Sequence, residues 1–451
     1  KHSKAEFKTL DLDVETQPEE PVYWSAELTK VKDDIVFIEV DGKPFFAIGF
    51  DTHKRGPWDG VTGPNGCYKD ENGVIHGQLD NAAEMTQQAV EAGANFAFQW
   101  SYTEEISSTE PRIYGRWTDG WGISMPKEND FIPIMVNGFG ESDMDGKPKE
   151  KIEQMKKEFE DFKNRTGNWS PEKKPNLPPY EEIPWFAWHP TWRMRGGGDG
   201  TGELLTDELA ETFAKTTNMM IGDNYTYVCN KHDSFLNPVT GQCGEKDECY
   251  DDWLAKDDEC HQSYFSAAWS LAHSIRQKSN PDAVIWMWLQ GHAFDDDIGI
   301  SECWNGYSTL WAKGPFPAMR YLRKEITSTI AAGGTGIIFF GYLYNRENTA
   351  EKLRSLMRTL AHPEVYEPAL TSPRLDLGFD LTDIGEGGRV HVISKWHDAT
   401  KTAYIIGANP GAYVTEFTIE FPWTISKAEL LDWFAPKFTA SGKLGVNGRK
   451  P

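Results

Sequence analysis

Asp223 closes an apolar run. In "NMMIGDNYTYVC", residues 218–229, Met219, Met220 and Ile221 lead through Gly222 to the acid, and Asn224 and Tyr225 follow as groups able to hydrogen-bond it. The run is too short for a stable helix and reads as a buried strand ending in a polar site, which would hold the carboxyl rigidly. Other strand-like runs end in the same manner. Asp51, His53, Lys54, Arg55 and Trp58 follow "FFAIGF", Gln99 and Trp100 close "NFAFQW" with Tyr102 two residues on, and Asn137 and Glu141 follow "FIPIMV". His189, Trp192, Arg193 and Arg195 come after "WFAW", and Gln290, His292, Asp295, Asp296, Asp297 and Glu302 after "AVIWMWL". Tyr342, Tyr344, Asn345 and Arg346 follow "GIIFF". Carboxyls suit proton transfer, arginine matches carboxylate, sulfate or phosphate through its fork, and indole faces stack on the apolar faces of sugar rings. A single polar strand end needs only solvent to explain it; recurrence at successive ends points to a shared cleft.

The elements that must position these residues alternate. A hairpin signal covers 35–50, with Asp41-Gly42 at its turn. Helical patterns near 82–92, 149–163, 205–217, 261–278 and 317–331 separate the apolar runs. Strands buried on both faces and joined by helices imply a parallel sheet. At this length the pattern predicts an α/β fold, a (β/α)8 TIM barrel over residues 35–371, with its polar strand ends at one rim. Seven strands are legible; the eighth is expected within 108–126 or 165–184. No G-x-G-x-x-G follows the first strand, which argues against a dinucleotide-binding sheet. From 372 the texture changes to alternating segments such as "RVHVISKWHD" and "KTAYIIGANPG". These predict a C-terminal antiparallel β-sandwich over 372–451, leaving 1–34 as an N-terminal extension.

Composition narrows the partners. The 451 residues carry 46 Lys and Arg against 69 Asp and Glu, a net charge of −23. That surface repels nucleic acid and anionic membranes, and no run of ~18 apolar residues is present to insert into a bilayer. A self-repelling monomer is expected. Cys229, Cys243, Cys249 and Cys260 crowd one polar segment without C-x-x-C or partnered His spacing. Disulfide stapling is the better reading, and it implies a secreted or extracytoplasmic location such as the periplasm or cell surface. No metal site and no cofactor is called for. The Asp295–Asp297 triplet could bind a structural calcium or cap a helix, but it does not fit an EF-hand loop. The chain holds 18 Trp and 16 Tyr, which a large core or a sugar-binding cleft would each explain.

In order along the chain, "DGKPFFAIGF", "AGANFAFQW", "MMIGDNYTY", "VIWMWLQG" and "AAGGTGIIFFGY" resemble the (β/α)8-barrel glycoside hydrolases over roughly 35–345. The resemblance implies polysaccharide hydrolysis by two carboxyls, one protonated and one ionised. The residues themselves, rather than the resemblance, point to Asp223 for the ionised role, since it directly follows a buried strand, and to Glu302, beside Cys303 and Trp304, for the acid, with Glu141 and Asp295–Asp297 as rivals. A loop-capping Asp and an exposed loop Glu would look the same in sequence. Trp100, Trp192 and Tyr225 would stack sugars, while His53, Arg55, Asn137, His189, Arg193, Gln290, His292 and Tyr342 would hold hydroxyls or anionic groups. The cations either pair with nearby acids or meet a sulfated or uronic substrate, and the second case resembles the endo-1,3-fucanases of glycoside hydrolase family 168, which act on sulfated fucan. One departure stands out. The commonest pattern in that superfamily places an Asn-Glu acid after the fourth strand and a Glu after the seventh. By the seven legible strands, the fourth gives His189 and the seventh Tyr342. That departure leaves two other readings open: a glycan-binding barrel without catalysis, and a polysaccharide lyase with His189 and Tyr225 as base and acid.

Overall fold

The computed structural model describes residues 11–12, 29–31, 35–40, 42–51, 67–69, 75–77, 82–99, 113–117, 132–139, 147–173, 180–181, 185–188, 190, 207–224, 272, 275–276, 278–291, 319–344, 347–375, 381–383, 389–408 and 425–427. The fold is mixed α/β, built around a curled sheet of parallel strands. Its strands are β1 (Ala47–Asp51), β2 (Phe96–Gln99), β3 (Ile113–Trp117), β4 (Ile132–Phe139), β5 (Trp185–Trp188), β6 (Met219–Asn224), β7 (Val284–Gln290) and β8 (Gly336–Phe340). Each pairs in parallel with the next in sequence, and β8 pairs back to β1 through Gly336↔Ala47 to Phe339↔Phe50. The eighth strand sought in the sequence is β3, inside the 108–126 window. "IYGRW" interrupts its short run with Gly115 and Arg116, so no apolar stretch advertises it.

Helices α1 (Ala82–Glu91), α2 (Pro148–Asn164), α3 (Asp207–Ala214) and α4 (Met319–Ala331) lie where the 3.6-residue periodicity places them, and a further helix, α5 (Glu347–Leu360), follows β8. The helix expected near 261–278 is helical at residues 272, 275, 276 and 278. Pro148 opens α2, where its missing N–H costs nothing, and Arg165 closes it at φ 55°. Two asparagines repeat one device at the start of a strand. Asn95 Oδ1 accepts from the Ile48 amide at 2.8 Å, and Asn218 Oδ1 accepts from the Phe186 amide at 2.8 Å. Each ties the entry of one strand to its neighbour.

Alternation along the strands sorts the apolar residues into two cores. Ile48, Phe50, Met220, Met287, Leu289, Ile337 and Phe339 pack outward beneath the helices. Ala47, Phe96, Phe98, Ile221, Trp286, Trp288 and Ile338 form a separate inner cluster. Phe96 meets Trp286 edge-on at 4.8 Å, and Phe98 meets Trp288 the same way at 4.9 Å. A Cβ at Gly336 would lie 2.7 Å from the Trp286 ring, so that strand position must be glycine for the indole to fit. The hairpin Ile35–Val40 and Lys43–Phe45 closes the N-terminal end, with Val36, Ile38 and Phe45 joining the inner cluster.

The C-terminal residues form an antiparallel sheet of five strands: Leu381–Asp383, Arg389–His397, Thr402–Ala408, Asp11–Leu12 and Ile425–Lys427. The N-terminal segment is therefore not wholly a separate extension, because Asp11 pairs with both Thr402 and Lys427. Among the described residues this region is one sheet. Lys395, from its longest strand, is buried over the Phe37 ring at 5.2 Å and donates to the Leu370 carbonyl at 2.5 Å. Burial pushes its amine down to about 7 from an ordinary 10.5.

Between those two values the unfolded chain binds more protons at this position than the folded one, so the Lys395 contribution makes stability rise with pH. We expect Lys395→Met to flatten that rise between neutral pH and about pH 10. Urea midpoints across the range check it; an unchanged slope would contradict the buried neutral amine.

Candidate functional site

The inner face of β6 carries Met219, Ile221 and, two residues on, Asp223. Met219 and Ile221 belong to the inner cluster and Met220 to the outer one, so period-two alternation directs Asp223 inward at the C-terminal end of its strand. Asp223 is 4% exposed. Its amide donates to the Pro190 carbonyl at 2.8 Å, which ties the end of β6 to the segment following β5. Register sets Asp223 beside Trp288.

The same alternation brings a second acid to the same end. Ala47 is inner and Ile48 and Phe50 are outer, so Asp51 also faces inward, one register position beyond the Phe50–Phe339 pair. It is fully buried. Its Oδ1 accepts from the Gly341 amide at 2.7 Å, and its Oδ2 has no hydrogen-bond partner among the described residues. Burial holds the Asp51 carboxyl well above the usual carboxylate range. The negative charge of Asp223 pushes it further up, while the Gly341 and Tyr342 amides pull it back. Two acids, one of them protonated well beyond its ordinary range, therefore end two strands of one curled sheet. Two such acids, differing in how readily they hold a proton, could supply one and take up another on either side of a bound group.

In the sequence Asp51 stands only as one polar rim residue among several. The missed signal was present: "AIGFD" and "MMIGD" both end an apolar strand in an acid, in phase with the inner residues. Tyr342 requires a correction. It was expected to hold substrate, yet it is fully buried outside the sheet, edge-tilted on Phe50 at 5.2 Å. Its hydroxyl donates to the Met85 carbonyl at 3.0 Å and accepts from Arg354 at 3.2 Å, so it joins β1, α1 and α5.

Asn137 lies in β4 opposite Trp117 and Ala187, and Gln290 lies at the end of β7 opposite Phe340. Glu302, His53, Arg55, Trp100, His189, Trp192, Arg193, Tyr225 and His292 fall outside the described residues, as do the Asp295–Asp297 triplet and the cysteine-rich segment. Counting β3 renumbers the strands. The fourth is now the one carrying Asn137, with Glu141 four residues on, and the seventh ends at Gln290 rather than Tyr342. The departure noted from the commonest hydrolase pattern thus arises partly from an uncounted strand; among the described residues the seventh strand ends without a carboxylate. Among the described residues no three His, Cys, Asp or Glu side chains gather as a metal site, and no helix is long and apolar enough to cross a membrane. No protein-family model matches the sequence, and no curated protein matches it.

The Asp51 shift has a signed consequence. A raised carboxyl gives the folded state more protons than the unfolded one above pH 3.8, so its contribution falls as pH rises through the folded value. Asparagine cannot ionise but keeps an oxygen for the Gly341 amide. Asp51→Asn should therefore gain stability relative to the parent as pH rises from about 4 to about 8. Denaturation midpoints at the two ends measure it, and a constant difference would refute the buried protonated acid.

Proposed function

We propose that the chain is a glycoside hydrolase that cleaves within a polysaccharide, built on a (β/α)8 barrel of the TIM type with its C-terminal part completing a β-sandwich. One observation supports this most directly: two buried acids, Asp223 and Asp51, end strands of one parallel sheet and face its inner side at the C-terminal end. That is where barrel enzymes assemble their chemistry. Hydrolysis of a glycosidic bond asks for two carboxyls of unlike protonation, and burial in the aromatic interior raises the Asp51 carboxyl. In this reading Asp223 is the carboxylate that attacks the anomeric carbon or activates water.

The substrate class rests on sequence. His53, Lys54, Arg55, His189, Arg193 and Arg195 cluster after two strands of a chain with net charge −23. Arginine forks suit sulfate and carboxylate groups, so an anionic glycan such as sulfated fucan is the preferred substrate. Secretion follows from the same reading, because such polymers lie outside the cell. Glu302 remains the residue that sequence reading names for the acid.

Reducing-end release from a panel of neutral and sulfated polysaccharides tests the class. Asp223→Asn is expected to lose at least ~10³-fold in turnover while keeping its circular dichroism and unfolding midpoint. Parent-like turnover in that variant removes Asp223 from the mechanism.

A further inference from the structure

An apolar interior lined by Phe96, Phe98, Trp286 and Trp288 tolerates polar groups only where something else requires them. Two acids intrude there. Asp223 already has a step in the proposed function; Asp51 supports that reading but has been given no step, and its position is the more costly of the two.

We propose that Asp51, rather than Glu302, is the second carboxyl of the site, handing a proton to the departing glycosidic oxygen while Asp223 serves as the carboxylate. The argument rests first on placement. Asp51 ends β1 on the inner face shared with Ala47, and Asp223 ends β6 on the inner face shared with Met219 and Ile221. Around the sheet the two strands are separated by β7 and β8, three pairing steps. Three steps at ~4.8 Å each make roughly 14 Å along the curved sheet. The chord between inward-pointing side chains is shorter, so the acids face each other across the interior instead of lying side by side. A bond held between them would have one acid on each side.

The second line is the way Asp51 is held. Gly341 donates its amide to Oδ1 at 2.7 Å and fixes the carboxyl plane. Oδ2 is buried, has no partner among the described residues, and is the oxygen left to carry a transferable proton. Native interiors rarely leave such an atom unpaired without a reason. Burial and the charge of Asp223 both favour the protonated form of Asp51, which agrees with this division of labour.

The step that the across-the-interior placement favours balances as follows. The C–O bond to the leaving group breaks and its electron pair stays on that oxygen, which takes the proton from Asp51 Oδ2. Water bonds to the anomeric carbon and gives its proton to Asp223. Return of that proton to Asp51 restores the pair, with one water consumed for each bond cut.

This inference rests on the glycosidase reading only for the identity of the leaving group, and the two can fail separately. Isotope-edited infrared spectra of the full chain, with aspartate carboxyls labelled, follow the proton directly. A protonated-carboxyl band at neutral pH is expected in the parent and absent from Asp51→Asn. Its titration midpoint should drop in Asp223→Asn. No difference between parent and Asp51→Asn, or a midpoint indifferent to Asp223→Asn, overturns the pair. Activity supplies the second readout: Asp51→Asn should lose turnover on polysaccharide yet recover most of it on aryl glycosides whose leaving groups need no proton. Equal loss on both removes Asp51 as the donor. Parent protein that shows the band behaviour but cuts no glycoside leaves the electrostatically linked acids standing and overturns the glycosidase reading.

Discussion

Everything in this molecule depends on how a curled parallel sheet fills its inner face. Strand alternation sends every second side chain inward, where space is set by the sheet and cannot expand. The chain fills it with large rings: Trp286 against Phe96 and Phe45, Trp288 against Phe98 and Phe340. Glycines at 49 and 336 make room for them, since a Cβ at either would sit 2.7 Å from a neighbouring ring. Close packing at that density leaves few tolerated positions for a polar group, and those lie at the ends of the strands.

The same constraint explains why Asp51 behaves as it does. A carboxyl directed into an aromatic interior loses its hydration and cannot recover it from a few amides. Asp51 recovers part of it from Gly341 and Tyr342, but burial still dominates and holds its carboxyl above the usual range. The arrangement is rigid because each acid is part of a hydrogen-bonded strand. Asp223 is further tied through its amide to Pro190. Preorganised groups of this kind need no rearrangement when charge moves, and rearrangement is the larger cost in most proton transfers.

Much of this was legible in the residues, and what was not has physical causes. Parallel strands buried on both faces declare themselves as apolar runs, so "MMIGDN" and "VIWMWLQ" located β6 and β7 and with them Asp223. β3 stayed hidden because "IYGRW" is short and broken by Gly115 and Arg116; its identity as a strand comes from its partners, β2 and β4. Tyr342 was misjudged for a related reason. A residue just past a strand end reads as rim, whereas the chain turns at Gly341, φ 74°, and sends this ring outward under α1 and α5. The pairing of Asp11–Leu12 with the C-terminal sheet spans nearly the whole chain, and no local pattern encodes so distant a partner.

Asp51 and Tyr342 together show how finely the strand ends are divided. They touch the same turn: Gly341 donates to Asp51, and the next residue places its ring on Phe50, the immediate neighbour of Asp51. One side of β1 is therefore clamped from outside by an aromatic whose hydroxyl is spent on Met85 and Arg354, and the other presents a carboxyl to the interior. Removing either partner would loosen the other, because a β-strand cannot shift one face without shifting both. The outward clamp is thus what gives the inward acid a fixed position.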